Sequence, residues 1–474
     1  MNLDLYKHIY LIGVGGIGMS ALARYFNSKG KMVCGYDKVK SDLCIELEIE
    51  GINIHYSDVV NEIPEPIKNA GFNDILVIYT PAISSENKVL SFFTNNGFKV
   101  YKRAEVLGMI SKQSFTIAVA GTHGKTTTST ILAHILKQAG KESTAFLGGI
   151  SRNYNTNLLL ADKGNILIVE ADEYDRSFLQ LHADIAIITS VDADHLDVYE
   201  NKEDLEKAFL QFATQIKQKG LLLVEESVSI DFPVPEDGAK LTYSATKNAD
   251  YYAENIKVKD GKMNFDLKAL DIMPGMSYEQ KQEGLEFILP GIHNVSNSIA
   301  ASAVSCYLGL GCKDIARGLA TFKGINRRFD VHLSTSKVAY VDDYAHHPEE
   351  IFSLLRSVKK MYPNKKITGV FQPHLFSRTR DFLDGFANAL ELLDTVLLLD
   401  IYPARELPIP GIDSNLLLSK IKKNSKMLCS KKEMHHHISN RDCDVVLTIG
   451  AGDIGMEVET VKQNLLNRLK IREL

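Results

Sequence analysis

The sequence has no long apolar run, no surplus of basic charge, no paired-cysteine motif and no segment of secretory type, and each absence removes a class of protein. Apolar stretches such as those within 165–169 and 395–399 fall far short of the roughly 20 residues that a helical membrane span needs. Lys and Arg total 54 against 59 Asp and Glu, a formal charge of −5. That balance makes no electrostatic case for a general nucleic-acid or membrane binder. Cys34, Cys44, Cys306, Cys312, Cys429 and Cys443 are scattered with no Cys-x-x-Cys pair, a pattern of reduced, mostly buried thiols. Residues 1–13 show no basic stretch leading into a long apolar run and a small-residue cleavage site, so a cytoplasmic location is expected. An apolar share of 45% with 24% charged residues excludes a disordered or collagen-like chain.

What is present is a repeated α/β theme. A length of 474 residues suggests about three domains. Three stretches each open on an apolar β-type run, pass through a Gly-rich or polar turn, and continue in a helical pattern. The first runs from His8 to about Leu107, the second from Phe115 to about Phe322, and the third from near Lys337 to the C-terminus. That alternation predicts α/β domains with largely parallel sheets. The expected domains are 1–110, 111–324 and 325–474, with joins at 109–114 and 323–326. Alternation of Tyr251, Ala253, Ile256 and Val258 marks 240–268 as a β-rich insertion in the middle domain.

The first turn reads Gly13-Val-Gly15-Gly16-Ile17-Gly18-Met19-Ser20, after the apolar run at 9–12. Glycines at this spacing let a backbone approach a pyrophosphate, and the helix that follows favours an anion at its start. Asp37 lies nineteen residues past Gly18, at the end of the next apolar run, where a carboxylate can accept a ribose hydroxyl. The pattern fits a nicotinamide dinucleotide and another diphosphate-linked nucleoside equally, and glycines that only close a tight turn would also produce it.

The second turn carries more chemistry. Residues 115–120 form a strand pattern, followed by Gly121-Thr122-His123-Gly124-Lys125-Thr126-Thr127-Thr128 and a helix to about Gln138. Backbone N–H groups and Lys125 would hold β- and γ-phosphates, and the Thr126 hydroxyl would ligate Mg²⁺. Position 119, glycine in the common phosphate-loop pattern, is Val119 here. Two further strand patterns end in acids: Glu170-Ala-Asp172-Glu173 and Asp192-Ala-Asp194-His195-Leu-Asp197. Oxygen donors suit Mg²⁺, with Glu170 and His195 as the candidate ligands. Helix capping by Asp172 and Asp194, with solvated charge around them, is the competing reading.

These residues resemble the ATP-dependent Mur ligases of bacterial cell-wall synthesis. The resemblance extends through Gly291-Ile-His293-Asn294-x-x-Asn297, Gly324-Ile-Asn-Arg327-Arg328-Phe-Asp330, Asp342-Asp343-Tyr344-Ala-His346-His347-Pro348, Phe371-Gln-Pro-His374-x-x-Ser377-Arg378, Asp400-Ile-Tyr402 and Gly450-Ala-Gly-Asp453. It implies an N-terminal Rossmann-like UDP-binding domain, a central ATPase-type domain with a phosphate loop and a C-terminal Rossmann-like domain. The implied reaction joins L-alanine to the lactyl carboxylate of UDP-N-acetylmuramate, with ATP and Mg²⁺, through an acyl phosphate.

The resemblance also implies roles. Gly13, Gly15, Gly16, Ile17, Gly18, Met19, Ser20 and Asp37 would bind the UDP-sugar. Residues 121–127 (Gly121, Thr122, His123, Gly124, Lys125, Thr126 and Thr127) would bind ATP with His293 and Asn294, joined from across a hinge by Arg327 and Asp343. Thr126, Glu170 and His195 would carry metal. Tyr344, His346, His374 and Arg378 would receive the amino acid. Lys125, Arg327, His346, His374 and Arg378 would serve catalysis, one of the histidines accepting an amine proton. A nicotinamide dehydrogenase would leave Lys125, Glu170 and His195 without work. His435-His436-His437 lacks acidic or Cys partners at ligand spacing and is expected to be a solvated surface run, as are 422–423 and 431–432.

Overall fold

Five parallel strands build the first sheet, in the order Asn53–His55, Met32–Tyr36, His8–Ile12, Ile75–Tyr79, Val100–Lys102. The strand His8–Ile12 is central because both of its faces are apolar: Ile9 and Leu11 enter one core, Tyr10 and Ile12 the other. Strand order reverses between His8–Ile12 and Ile75–Tyr79, and the first glycine turn opens at that switch point, where open α/β sheets bind ligands. The computed structural model describes residues 3–192, 198–246, 248–259, 261–270, 280–404, 406–440 and 443–471.

A ten-stranded sheet follows. Its order is Gln280–Phe287, Lys262–Ala269, Tyr251–Lys259, Ala239–Ser244, Leu221–Glu225, Ile185–Ile188, Phe115–Ala120, Ile166–Ala171, Thr144–Ser151, Thr156–Leu159. Phe115–Ala120 pairs in parallel with Ile185–Ile188 on one side and Ile166–Ala171 on the other. The phosphate-loop turn and both acidic strand ends therefore emerge side by side. The β-rich insertion is present, and Met263, Phe265 and Leu267 alternate inward along Lys262–Ala269.

The third sheet runs Asp330–Ser334, Ala339–Asp343, Val445–Ile449, Ile367–Phe371, Thr395–Leu398, Lys426–Leu428. It opens earlier than the sequence pattern indicates, because Asp330–Ser334 pairs antiparallel to Ala339–Asp343 as an edge strand. Edge strands carry weaker apolar alternation, which hides them from a search for buried runs.

The chain divides into two compact units: Met1–Glu254 with Asp266–Leu285 and Ser296–Phe322, and Asn255–Phe265 with Glu286–Val295 and Lys323–Leu474. The first unit contains the first sheet and most of the central one, and an unbroken apolar core runs from Leu22 and Phe26 to Phe146 and Leu158. A polar knot reinforces it. Arg24 is buried, its Nη2 2.8 Å from both Glu46 and Glu50, and its Nη1 donates to Asn157 Oδ1. The anticipated join at 109–114 is mostly helix instead: Arg103–Lys112 continues through it, with Ile110 buried, and only Gln113 and Ser114 turn the chain. The six cysteines are free thiols, five of them buried. Among the described residues no helix is long and apolar enough to cross a membrane.

Candidate active site

The loop after Phe115–Ala120 is fixed on both flanks. Gly124 takes φ +84° at the start of the helix Lys125–Gln138, and a Cβ there would stand 2.5 Å from Asn297 Oδ1. Backbone and neighbour both require glycine. Asn297 also accepts from Thr128 Oγ1 at 3.2 Å. On the other flank Ser190 Oγ accepts from His123 N at 2.9 Å, and Thr122 N donates to Ser190 O at 3.1 Å. His123 Nε2 lies 3.6 Å from Asp192 Oδ2. Thr126 and Thr127 are buried in the first helical turn.

Lys125 is the charged centre of the loop. Its Nζ is 2.6 Å from Gly121 O and 2.9 and 2.8 Å from the two carboxylate oxygens of Glu173. The Glu173 side chain has no exposed surface, and its carbonyl accepts from Tyr199 Oη at 2.6 Å. Burial works against the ammonium, but Glu173, Asp172 and Glu170 together outweigh it and raise the Lys125 pKa. Lys125 is therefore cationic at neutral pH.

Glu170 occupies the space a side chain at position 148 would need: a Cβ on Gly148 would lie 1.9 Å from Glu170 Oε2. The carboxylate and the Thr126 hydroxyl are hard oxygen donors of the kind Mg²⁺ takes. Among the described residues no group of three His, Cys, Asp or Glu forms a cage. Asp194 and His195 lie outside the described residues.

The first glycine turn is engaged by its own chain. Gly15 N donates to Asp37 Oδ2 at 2.8 Å and Val39 N to Asp37 Oδ1 at 3.1 Å. One oxygen of the residue expected at a ribose thus holds the glycine turn, and the other holds the backbone two residues further on. Gly13 N bonds Tyr36 O at 2.7 Å, and Gly16 N bonds Gly13 O at 3.3 Å. Ser20 and Met19 are buried, and Ser20 Oγ accepts from Asn157 Nδ2 at 2.8 Å, which also reaches Ile17 O at 2.5 Å. Gly18 packs against the guanidinium of Arg103.

The second unit carries the remaining candidates. Arg327 donates through Nε to Asp342 Oδ2 at 3.0 Å and through Nη2 to Gly450 O at 2.6 Å. The Tyr344 ring lies 5.3 Å from the Arg327 guanidinium and 5.1 Å from that of Arg328. Ring contacts then run from Tyr344 to His346, from His346 to His374, and from His374 to Tyr402, with centroids 5.3, 6.0 and 5.8 Å apart. His346 Nδ1 lies 3.0 Å from Tyr344 O and 3.3 Å from Glu350 Oε2.

Asp343 accepts from Phe329 N at 2.6 Å and Ala345 N at 2.7 Å, and burial pushes its pKa up to about 6. Its carboxylate organises the two loops that carry Arg327 and Tyr344. Pro348 starts the helix Pro348–Met361, and the His347 ring caps it. Arg378 is only 7% exposed, so it is no solvated terminal charge. Asn294 Nδ2 bonds Pro290 O at 2.7 Å, and His293 neighbours Gly291 in the same turn. The His435 run is not wholly solvated: His435 Nε2 pairs with Glu457 at 2.8 Å, and Lys431 with Asp453 at 2.5 Å.

No sequence signal gave Glu173 or Arg103 its place at a turn, and Asn297, although part of the Gly291–Asn297 motif, gave none for its contact with Gly124. Glu173 stood in an acidic run, with nothing in the spacing to say which carboxylate turns inward. Asn297 and Arg103 reach the turns from distant parts of the chain.

The chain matches three family models: "Mur ligase family, catalytic domain" over residues 8–115, "Mur ligase middle domain" over 119–305 and "Mur ligase, glutamate ligase domain" over 327–452. It is 48% identical to a UDP-N-acetylmuramate–L-alanine ligase of Christiangramia forsetii, covering 98% of this chain and 99% of that one. A protein of the same name from Parabacteroides distasonis is 46% identical, with 99% and 100% covered. Among solved structures, a UDP-N-acetylmuramate–alanine ligase from Thermotoga maritima superposes with a TM-score of 0.79 at 27% identity, covering 98% and 99% of the two chains.

Proposed function

The chain belongs to the Mur ligase family, and we propose from that premise that it joins L-alanine to the lactyl carboxylate of UDP-N-acetylmuramate at the expense of ATP, in peptidoglycan precursor synthesis. The observation that carries the phosphate chemistry is the loop itself: a half-buried, cationic Lys125 at a helix N-terminus, beside Glu170 at the end of the neighbouring strand.

A carboxylate is a poor acceptor for an amine until its oxygen becomes a leaving group. The lactyl carboxylate takes the γ-phosphoryl group of ATP, which leaves ADP and a mixed anhydride. The alanine amine then opens the anhydride at carbon and releases phosphate. The first step needs two anions held close and the second an amine aimed at the acyl carbon, so neutralisation and positioning are the protein's share. The N–H groups of 121–127 and the Lys125 ammonium hold the phosphates. The Thr126 hydroxyl and the Glu170 carboxylate would hold Mg²⁺, which would offset triphosphate charge. Gly13, Gly15, Gly16 and Gly18 give the UDP diphosphate close access to the backbone. In the second unit, Arg378 takes the alanine carboxylate and the Tyr344–His346–His374 ring series borders it. His346, oriented by Glu350 and the Tyr344 carbonyl, is the residue we assign to the amine proton. His293, Asn294 and Arg327 are assigned to the nucleotide.

Mixing purified protein with ATP, Mg²⁺, UDP-N-acetylmuramate and L-alanine tests this reading. Phosphate release requires both acceptor substrates, and the product mass rises by one alanine residue. Phosphate release that ignores the amino acid contradicts it.

A further inference from the structure

We propose that Arg103 is a positioning residue for the diphosphate of the sugar nucleotide, and that Asp172 competes with that diphosphate for it. The inference rests on the assignment of the UDP-sugar to the Gly13–Gly18 turn and adds to it a side chain from outside the glycine motif.

Arg103 begins the helix Arg103–Lys112, 85 residues beyond Gly18 in the chain. A Cβ placed on Gly18 would stand 2.3 Å from Arg103 Nη1, 3.0 Å from Cδ and 3.1 Å from Cζ. Gly18 is thus the residue that admits a guanidinium to the turn. The backbone beneath Arg103 is anchored: Lys102 N donates to Glu105 Oε2 at 2.6 Å, and Lys102 Nζ pairs with Asp175 at 2.9 Å.

Its pairing with Asp172 is weak. Arg103 Nη2 lies 3.3 Å from Asp172 Oδ2, and the two side chains are 26% and 40% exposed. A single, long, solvated contact of this kind contributes little. A diphosphate presents a higher charge and paired oxygens in the geometry a guanidinium fork prefers. Exchange of Asp172 for the diphosphate is therefore downhill. Asp172 also lies between Glu170 and Glu173, the carboxylates beside Lys125, so the two anion sites of the first unit meet at this one residue.

The competition gives substitutions of opposite sign. Titration calorimetry of the full chain with UDP-N-acetylmuramate, and separately with UDP, reads the affinity without turnover. Arg103→Gln weakens both ligands about tenfold, the loss of one charge-assisted contact. Arg103→Lys, which keeps charge but not the fork, falls between Gln and wild type. Asp172→Asn tightens both ligands roughly threefold, because the rival for Arg103 is gone. On an Arg103→Gln background, Asp172→Asn changes nothing.

Thermal melts establish that each variant is folded, and Arg103→Lys supplies the reading if Arg103→Gln does not fold. Unchanged affinity in both Arg103 variants overturns the proposal, as does weaker or unchanged binding in Asp172→Asn. An effect confined to the lactyl-bearing ligand overturns the assignment to the diphosphate. Failure of the wild type to bind the sugar nucleotide overturns the functional reading beneath it; wild-type binding with inert variants overturns this inference alone.

Discussion

Glu173 grips the Lys125 ammonium through both carboxylate oxygens, at 2.9 and 2.8 Å, from a position with no exposed surface. A buried pair of this kind is costly to break from one side, because the survivor keeps its charge and loses its partner. Glu173→Ala is expected to lower stability by about 3 kcal/mol in urea unfolding. Lys125→Ala is expected to cut turnover by roughly 100-fold or more and to destabilise as well. The double variant Lys125→Ala/Glu173→Ala should be more stable than the sum of the single losses predicts, because neither charge is then stranded. Additive losses would show that the pair is not coupled.

Gly124 is the second point of rigidity. Its φ of +84° and the nearby Asn297 carbonyl oxygen leave no room for a Cβ. Gly124→Ala should cost about 1–2 kcal/mol from the left-handed backbone alone, with a further loss from displacing Asn297. Thermal melts and the KM for ATP report the two effects. A variant with wild-type melting and wild-type KM would show that the loop does not need this conformation.

His134 supplies the acid limit of the first unit. It lies one side of the loop helix, bonded to Tyr154 Oη at 2.7 Å and Thr321 Oγ1 at 3.0 Å, and burial lowers its pKa to about 4. The unfolded chain, with an imidazole pKa near the usual ~6.5, takes up the proton first as pH falls. Stability is complete above that value and drains away between roughly pH 6.5 and 4. The difference in unfolding free energy between wild type and His134→Gln should shrink across that window. A difference independent of pH would contradict the buried neutral imidazole.

Arg378 should determine how the amino acid is held. Because it is buried rather than solvated, Arg378→Lys loses a planar fork that an ammonium cannot replace. The KM for L-alanine is expected to rise about tenfold while the KM for UDP-N-acetylmuramate stays constant. A tripeptide offered in competition should not displace L-alanine. Equal changes in both KM values would place Arg378 elsewhere.

The parts of the molecule that could be read from the chain are those encoded in short spans. The turns at 13–18 and 121–128, the strand ends at Glu170 and Asp192, and Pro348 at a helix start each declare themselves within a few residues, because backbone geometry and local periodicity dictate them. The hidden parts depend on distant residues. Asp37 folds back onto Gly15 N, Asn297 packs on Gly124, and Arg103 reaches Gly18. No local period reports such meetings. The helix through 109–112 was masked by its polar end, and the edge strand Asp330–Ser334 by its weak alternation.

In the proposed reaction the lactyl carboxylate is activated by phosphoryl transfer before the amine attacks. UDP-N-acetylmuramate carrying oxygen-18 in that carboxylate, turned over with ATP and L-alanine, tests it most directly. One labelled oxygen is expected in each inorganic phosphate released. Phosphate without the label, alongside normal amide product, would contradict it.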